Sequence, residues 1–242
     1  MKTGVLCIHG FTGGPYEVQP IADYLEKNTD WKIVVPTLPG HGETLELKNF
    51  RAENWMMEAE LALRKLQKEV DKVIVIGFSM GGIIAIYLAN RYKIEKLVLL
   101  SAAAKYIYPT QLLQDIRELA KEAMAGKLEA NELYKRYKYK WKKTPIHATI
   151  EFIRLVRMIE PYYGQIIIPV CLVQGKKDGI VPYATAQFLF DQIGSEKKEL
   201  IYSETGKHHI CYSEDCNDWF FKVLRFLKED EVEIITNNYN SF

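Results

Sequence analysis

The sequence lacks a long apolar run and a strong charge of one sign, and each absence argues against a class of protein. No apolar stretch approaches the length of about 20 residues that a transmembrane helix requires. The 32 basic and 31 acidic residues leave a net charge of +1. The overall field therefore gives no argument for nucleic acid or an anionic membrane as a binding partner. We expect no nucleic-acid partner and no stable membrane anchoring, and the oligomeric state stays open.

The sequence also lacks paired-cysteine and metal-ligand motifs. Its 4 cysteines form no Cys-x-x-Cys pair, and two of them, Cys7 and Cys171, lie in predicted strands. Buried, reduced thiols are typical of cytosolic proteins. The 5 histidines are not spaced with cysteines or carboxylates as a ligand set, so we expect no metal site. The apolar run at residues 4–8 is too short for a signal peptide. We predict a cytoplasmic protein.

Alternating strand and helix patterns are what the sequence does contain. With 242 residues, of which 48% are hydrophobic, the chain is long enough for one large domain with a full core. Apolar runs of strand length are separated by amphipathic helical patterns; they lie at residues 5–8, 33–38, 72–76, 96–101, 170–174 and 198–203. This alternation predicts an α/β fold, with a mostly parallel sheet and helices on both faces.

The alternation stops between residues 105 and 162, where helical patterns follow one another without a strand. They cover residues 110–124, 129–141 and 145–159. We predict a single domain over residues 1–242 with a helical cap inserted at about 105–162. Within the cap, Tyr134, Tyr137 and Trp141 share one helical face and lysines surround them. We favour an aromatic face over a substrate pocket, which makes Tyr137 and Trp141 candidate substrate contacts, over a nucleic-acid surface.

The segment from Lys72 to Gly82 predicts a nucleophile. A β-branched strand leads into Gly77-Phe-Ser-Met-Gly81, and a helical pattern follows from Ile83. A strand, a sharp turn and a helix are the context in which Gly-x-Ser-x-Gly presents an exposed serine hydroxyl. The glycines permit close approach of the strand and the helix. We therefore predict that Ser79 is a catalytic nucleophile.

A glycine-rich loop after the first strand, residues 9–14, predicts an anion-binding site above the sheet. Such a loop can turn its backbone amides toward the site. We expect the Phe11 amide to form one half of an oxyanion hole and the Met80 amide, at the start of the helix after Ser79, to form the other. We interpret His9 as a structural residue that holds this loop.

A serine nucleophile needs a base and an acid that orients it. Asp178 follows a predicted strand and is the acid we favour, with Glu204 as the alternative. The base is either His208 or His209, because adjacent side chains point in different directions and only one can reach Ser79. The order serine, aspartate, histidine along the chain is the order expected in this type of fold.

The chain resembles the α/β-hydrolase carboxylesterases, particularly the small bacterial esterases related to monoacylglycerol lipases. The resemblance covers nearly the whole chain and rests on six segments: His9-Gly-Phe-Thr-Gly13, Pro39-Gly-His-Gly42, Asn54-Trp55, Gly77-Phe-Ser-Met-Gly-Gly82, Thr144-Pro145 and residues 174–178. In those esterases an isoleucine lies two positions after the catalytic histidine. This register favours His208, since Ile210 follows it by two.

The resemblance implies a serine carboxylesterase that acts on small-molecule esters of short to medium acyl chains. It implies an acyl-enzyme intermediate and no cofactor. The alternatives on the same fold are monoacylglycerol lipase, thioesterase and carbon–carbon bond hydrolase. An alternative of another class is a non-catalytic ligand-binding protein of hydrolase fold, which need not keep a complete triad.

Overall fold

Six parallel strands form a single sheet in the structure, a computed structural model that describes residues 1–104 and 144–239, with side chains up to residue 229. The strand order is β2-β1-β3-β4-β5-β6, and every neighbouring pair is parallel. The strands are β1 (Thr3–Ile8), β2 (Lys32–Val34), β3 (Lys72–Phe78), β4 (Lys96–Leu100), β5 (Val170–Gly175) and β6 (Lys198–Ser203). The predicted α/β class and parallel sheet are confirmed.

Helices connect the strands and cover both faces of the sheet. The described helices are α1 (Gln19–Asn28), α2 (Ala52–Gln67), α3 (Met80–Arg91), α4 (Ile146–Ile159), α5 (Ala184–Gln192) and α6 (Cys216–Tyr239). Short 3-10 segments lie at Pro15–Glu17, Glu160–Gln165 and Ile210–Tyr212. Each connection between parallel strands crosses a face of the sheet, as parallel pairing requires.

The strands are buried on both faces, and their side chains divide the core into two parts. Along β1, Leu6 and Ile8 pack on the side of α2, α3, α4 and α5. Val5 and Cys7 pack on the opposite side, against α1 and α6. This alternation follows from the two-residue period of a strand. It explains why the strands appear in the sequence as continuous apolar runs.

The second strand is shorter than predicted. The second strand was expected over residues 33–38 but ends at Val34. Pro36 has no amide hydrogen to donate to a neighbouring strand, and the Leu38 amide donates to Nε2 of His9 at 3.0 Å instead.

The predicted cap is described only at its carboxyl end. Residues 105–143, which include Tyr137 and Trp141, lie outside the described residues. The third helical pattern, predicted at residues 145–159, is α4, which packs against α2 and α3. The cap insertion and the single-domain organisation stay predictions. Within the described ranges, no helix combines the length and the apolar character needed to cross a bilayer.

The strand order creates a crevice at one edge of the sheet. After β1 the chain moves outward to β2, and it then returns to place β3 on the other side of β1. The loops that follow β1 and β3 therefore leave neighbouring strands in opposite directions. Ligands of open parallel sheets bind at such a reversal of strand order, beyond the carboxyl ends of the strands.

Candidate active site

Ser79 occupies a strained turn between β3 and α3. Its backbone has φ 53° and ψ −117°, a conformation that L-residues rarely adopt. The Ser79 amide donates to the Leu100 carbonyl at 2.9 Å, and the Ser79 carbonyl accepts from the Ala103 amide at 3.2 Å. These hydrogen bonds to the end of β4 and to the residues that follow it hold the turn in place. Strain of this kind persists where the surrounding structure determines it, commonly at functional sites.

The glycines beside Ser79 allow the strand, the turn and the helix to meet. A Cβ added at Gly77 would lie 2.3 Å from the Gly81 carbonyl oxygen. A Cβ added at Gly81 would lie 2.2 Å from the carbonyl oxygen of Ile8 at the end of β1. These contacts involve backbone atoms, which cannot rotate away. Both positions of the Gly-x-Ser-x-Gly motif therefore require glycine.

We expect Gly81→Ala to destabilise the protein, because its Cβ overlaps backbone atoms of β1. Overpacking of this kind costs about 1–3 kcal/mol, which corresponds to a fall in Tm of about 3–10 °C for a domain of this size. The control is Gly179→Ala, since no atom lies within 4 Å of its Cβ position. Thermal unfolding followed by circular dichroism compares the two variants. Equal melting temperatures would show that the close packing at the turn is not required.

The structure brings Ser79, His208 and Asp178 together although they are distant in sequence. Nε2 of His208 lies 3.1 Å from Oγ of Ser79, and Nδ1 of His208 lies 3.0 Å from Oδ2 of Asp178. The Asp178 side chain is fully buried and that of His208 is 12% exposed. The Phe78 ring lies against the imidazole, with ring centroids 5.0 Å apart. The geometry is that of a hydroxyl, a base and an orienting carboxylate in sequence.

Hydrogen bonds hold the Asp178 carboxylate in its ionised form. Oδ1 accepts from the amides of Ile180 and Val181, each at 2.9 Å. Oδ2 accepts from Nε2 of Gln174 at 3.0 Å, a contact for which the sequence analysis predicted no site role. Burial alone raises the pKa of Asp178, but the charge and hydrogen bond of His208 and the two backbone amides bring that pKa below its ordinary value. Asp178 is therefore an anion at neutral pH.

The two amides predicted for the oxyanion hole belong to the loop after β1 and to the start of α3. Met80 is the first residue of α3, where backbone N–H groups have no partner within the helix. Among the described residues, neither the Phe11 amide nor the Met80 amide donates to another backbone carbonyl. His9 bonds on both ring nitrogens: Nδ1 donates to the Gly10 carbonyl at 2.9 Å and Nε2 accepts from Leu38. This geometry agrees with the structural role predicted for His9.

Aromatic side chains form an apolar wall beside these amides. The Phe11 ring stacks on Phe152 of α4, with centroids 5.1 Å apart and planes 19° from parallel. The Trp55 ring contacts Phe11 edge-on at 5.8 Å. No sequence pattern marks Phe152, because the contact depends on the packing of α4 over the loop after β1. A substrate carbonyl held by the Phe11 amide would lie next to this wall.

The remaining candidates have other partners. Glu204, the alternative acid, is exposed and pairs with Lys176 at 2.6 Å. His209, the alternative base, contacts Oε1 of Glu17 at 3.0 Å through its Nε2, and nothing in the sequence pattern singles out Glu17. In the part of the chain that the structure describes, no three or more His, Cys, Asp or Glu side chains are grouped to hold a metal ion.

Asp215 anchors the loop that carries His208. Its carboxylate accepts from Oγ of Ser203 at 2.6 Å, from Oγ1 of Thr205 at 2.7 Å and from the amide of Glu204 at 2.9 Å. Burial raises the pKa of Asp215, but hydrogen bonds from the Ser203, Thr205 and Ser213 hydroxyls lower it well below the ordinary value. The anchor is therefore charged at neutral pH. It ties the end of β6 to the start of α6.

Comparison with known proteins gives the family. The model of the family described as serine aminopeptidase, S33, matches residues 1–215. A thermostable monoacylglycerol lipase of Bacillus sp. (strain H-257) is 28% identical over 211 residues, which cover 85% of this chain and 82% of the lipase. A carboxylesterase of Bacillus subtilis (strain 168) is 22% identical over 227 residues, which cover 93% of this chain and 92% of the esterase.

The fold is shared with solved structures of lipolytic enzymes. One of them was reported with LipS and LipT, two metagenome-derived lipolytic enzymes. It has a TM-score of 0.77 and 24% sequence identity, and the match covers 94% of each chain. At this identity the likeness concerns the fold. The family model, in contrast, spans most of the chain. This protein therefore belongs to the α/β-hydrolase family described as serine aminopeptidase, S33.

Proposed function

We propose that this protein is a serine carboxylic ester hydrolase in which Ser79 is the nucleophile, His208 the base and Asp178 the orienting acid. The observation that carries the proposal is the continuous hydrogen-bonded chain from Oγ of Ser79 through the His208 ring to Asp178. Sequence similarity to a carboxylesterase and a monoacylglycerol lipase supports an ester as the substrate. Esterase and lipase relatives of this kind support a small-molecule ester as the substrate of the enzyme.

The reaction follows from the positions of these groups. Oγ of Ser79 attacks the ester carbonyl carbon while Nε2 of His208 accepts its proton, and the Asp178 carboxylate stabilises the imidazolium that forms. The Phe11 and Met80 amides donate to the oxyanion. The alcohol leaves with the proton from His208, and an acyl-enzyme remains on Ser79. A water molecule then repeats the sequence, with His208 again as base, and the carboxylic acid is released.

The acyl group lies along the aromatic wall of Phe11, Phe152 and Trp55. The amide of Phe11 would hold the carbonyl oxygen, so the substituents of the carbonyl carbon must run close to the ring of the same residue. The resemblance implies short to medium acyl chains, and burial of each methylene against this wall would contribute about 0.8 kcal/mol. Tyr137 and Trp141, the substrate contacts predicted from the sequence, lie outside the described residues. The cytoplasmic location stays a prediction from the sequence.

Monoacylglycerol hydrolysis is the second candidate, favoured by the 28% identity to a monoacylglycerol lipase over 85% of the chain. It uses the same nucleophile, base and acid, and it differs only in the alcohol that leaves. The alcohol side of the site, rather than the groups around the carbonyl, must decide between the two substrates.

A substrate panel tests the proposal. It contains p-nitrophenyl esters from acetate to laurate, monoacylglycerols of the same acyl lengths, an acyl thioester and an amino-acid p-nitroanilide. We expect ester hydrolysis, with kcat/KM rising about fourfold per added methylene until the pocket is full. Faster cleavage of the anilide than of any ester would indicate a peptidase, as the family description suggests. Faster cleavage of the thioester would indicate a thioesterase.

A further inference from the structure

Glu17 is a buried carboxylate that the proposed reaction does not use. The residue is 2% exposed. Its Oε2 accepts from the Gly10 amide at 2.9 Å, and its Oε1 contacts Nε2 of His209 at 3.0 Å. One oxygen thus bonds to a backbone amide and the other to an imidazole. A buried carboxylate is costly unless it is paired in this way, which indicates that Nε2 of His209 carries a proton and donates it.

The two partners of Glu17 are next to groups of the proposed active site. Gly10 immediately precedes Phe11, whose amide is assigned to the oxyanion hole, and His209 immediately follows His208. Glu17 therefore joins the loop after β1 to the loop after β6. Of the described contacts, those of Glu17 connect these two loops most directly to the reacting groups.

The sheet does not set the distance between these loops. Three strands, β3, β4 and β5, separate β1 from β6, so the two strands lie about 19 Å apart at the usual strand spacing of about 4.8 Å. No strand pairing joins them, and the loops meet above the edge of the sheet. Contacts outside the sheet therefore hold the oxyanion amide and the base at a fixed separation. They are the Glu17 pair, the Tyr212 hydroxyl, which donates to the Tyr16 carbonyl at 2.7 Å, and the packing of α1 against the segment after β6.

Close packing leaves Glu17 little freedom to move. A Cβ added at Gly13 would lie 1.8 Å from Oε2 of Glu17, so the carboxylate fills the space that a side chain would occupy. The Phe78 ring lies against both imidazoles, with centroids 5.0 Å from His208 and 5.8 Å from His209. The carboxylate, the two imidazoles and the ring before Ser79 therefore form one packed unit.

We propose that Glu17 and His209 are positioning residues that fix the oxyanion loop relative to the base His208. This inference rests on the proposed function. Neither side chain contacts Oγ of Ser79 in the structure, so the pair acts through Gly10 and His208. Its loss should weaken transition-state stabilisation more than substrate binding, since the geometry of the oxyanion and the base matters most in the transition state.

The test is a double-mutant cycle on p-nitrophenyl acetate hydrolysis. We expect Glu17→Ala and His209→Ala each to lower kcat about 10- to 100-fold, as a misplacement of about 1 Å does, with KM changed less than about twofold. The double variant should be no slower than the slower single variant, because both changes break the same bridge. Glu17→Gln should recover most of kcat: its amide oxygen can accept from Gly10 and its amide nitrogen can donate to the other tautomer of His209.

A surface control and an active-site titration separate positioning from folding. Glu204→Ala removes an exposed carboxylate paired with Lys176 and should leave kcat unchanged. Titration of Ser79 with an aryl phosphonate counts the folded sites, so that kcat is expressed per reactive site. Wild-type kcat per site in Glu17→Ala and His209→Ala would overturn the inference. So would additive losses in the double variant, or a Glu17→Gln variant as slow as Glu17→Ala.

Ser79→Ala in the same assay distinguishes this inference from the proposed function. If Ser79→Ala retains ester turnover, the proposed function fails and the positioning role fails with it. If Ser79→Ala is inactive while both Glu17→Ala and His209→Ala keep wild-type kcat, only the positioning role fails.

Discussion

Ser79→Ala is expected to lower ester turnover by about five to six orders of magnitude and to leave the fold intact. The substitution removes the hydroxyl oxygen that Nε2 of His208 contacts at 3.1 Å. Alanine keeps the Cβ, so the strained turn and its bonds to the Leu100 and Ala103 backbone stay possible. The measurement is kcat for the best p-nitrophenyl ester of the panel, with Tm measured on the same sample.

Ser101→Ala is the control for this prediction. Ser101 is also buried, has a positive φ of 43° and lies at the carboxyl end of a central strand. Among the described residues its Oγ has no hydrogen-bond partner, so no imidazole activates it. We expect Ser101→Ala to keep kcat within a few-fold of the wild type. Near-wild-type hydrolysis by Ser79→Ala would contradict the whole proposed mechanism.

The local parts of this site could be predicted because short segments encode them. A β-branched strand, Gly-x-Ser-x-Gly and a helical pattern are contiguous in sequence, so the turn at Ser79 is determined by its own neighbours. Asp178 could be predicted for a similar reason, since it follows a strand and parallel strands end at a common edge. The sheet class followed from the alternation of strands and helices.

The choice between His208 and His209 could not be made from the residues themselves. Both follow the same strand, and the direction of each ring depends on the path of the loop. Asp215 sets part of that path by accepting bonds from Ser203, Thr205 and Glu204. The resemblance to esterases favoured His208, and the structure places that ring beside Ser79.

Contacts between segments that are distant in sequence could not be predicted. Glu17 and His209 are 192 positions apart, and a glutamate in a first helical turn is common in any protein. The early end of β2 has a similar cause. The Leu38 amide is taken by the ring of His9, which lies 29 positions earlier. Neither partner can be identified before the chain is folded.

His208→Ala is expected to be nearly as inactive as Ser79→Ala, with kcat lower by about five to six orders of magnitude. Without the imidazole, the proton of Ser79 has no acceptor, and the buried Asp178 carboxylate loses the partner that helps to keep it charged. Since serine and histidine act as one unit, the combined Ser79→Ala and His208→Ala variant should be no slower than either single variant.

His209→Ala is the matched control variant for this prediction. The two histidines are adjacent, similarly buried and both hydrogen-bonded to a carboxylate, His208 to Asp178 and His209 to Glu17. His208 also contacts Oγ of Ser79, at 3.1 Å. A structural loss in the loop that carries both histidines would slow the two variants equally. A base at His208 instead predicts that His208→Ala is at least about a thousandfold slower than His209→Ala. The measurement is kcat per folded protein, with the folded fraction taken from circular dichroism and binding of a product carboxylate as the check that the pocket is formed. The reverse ranking would make His209 the base, and equal losses would remove the distinction between a base and its positioning neighbour.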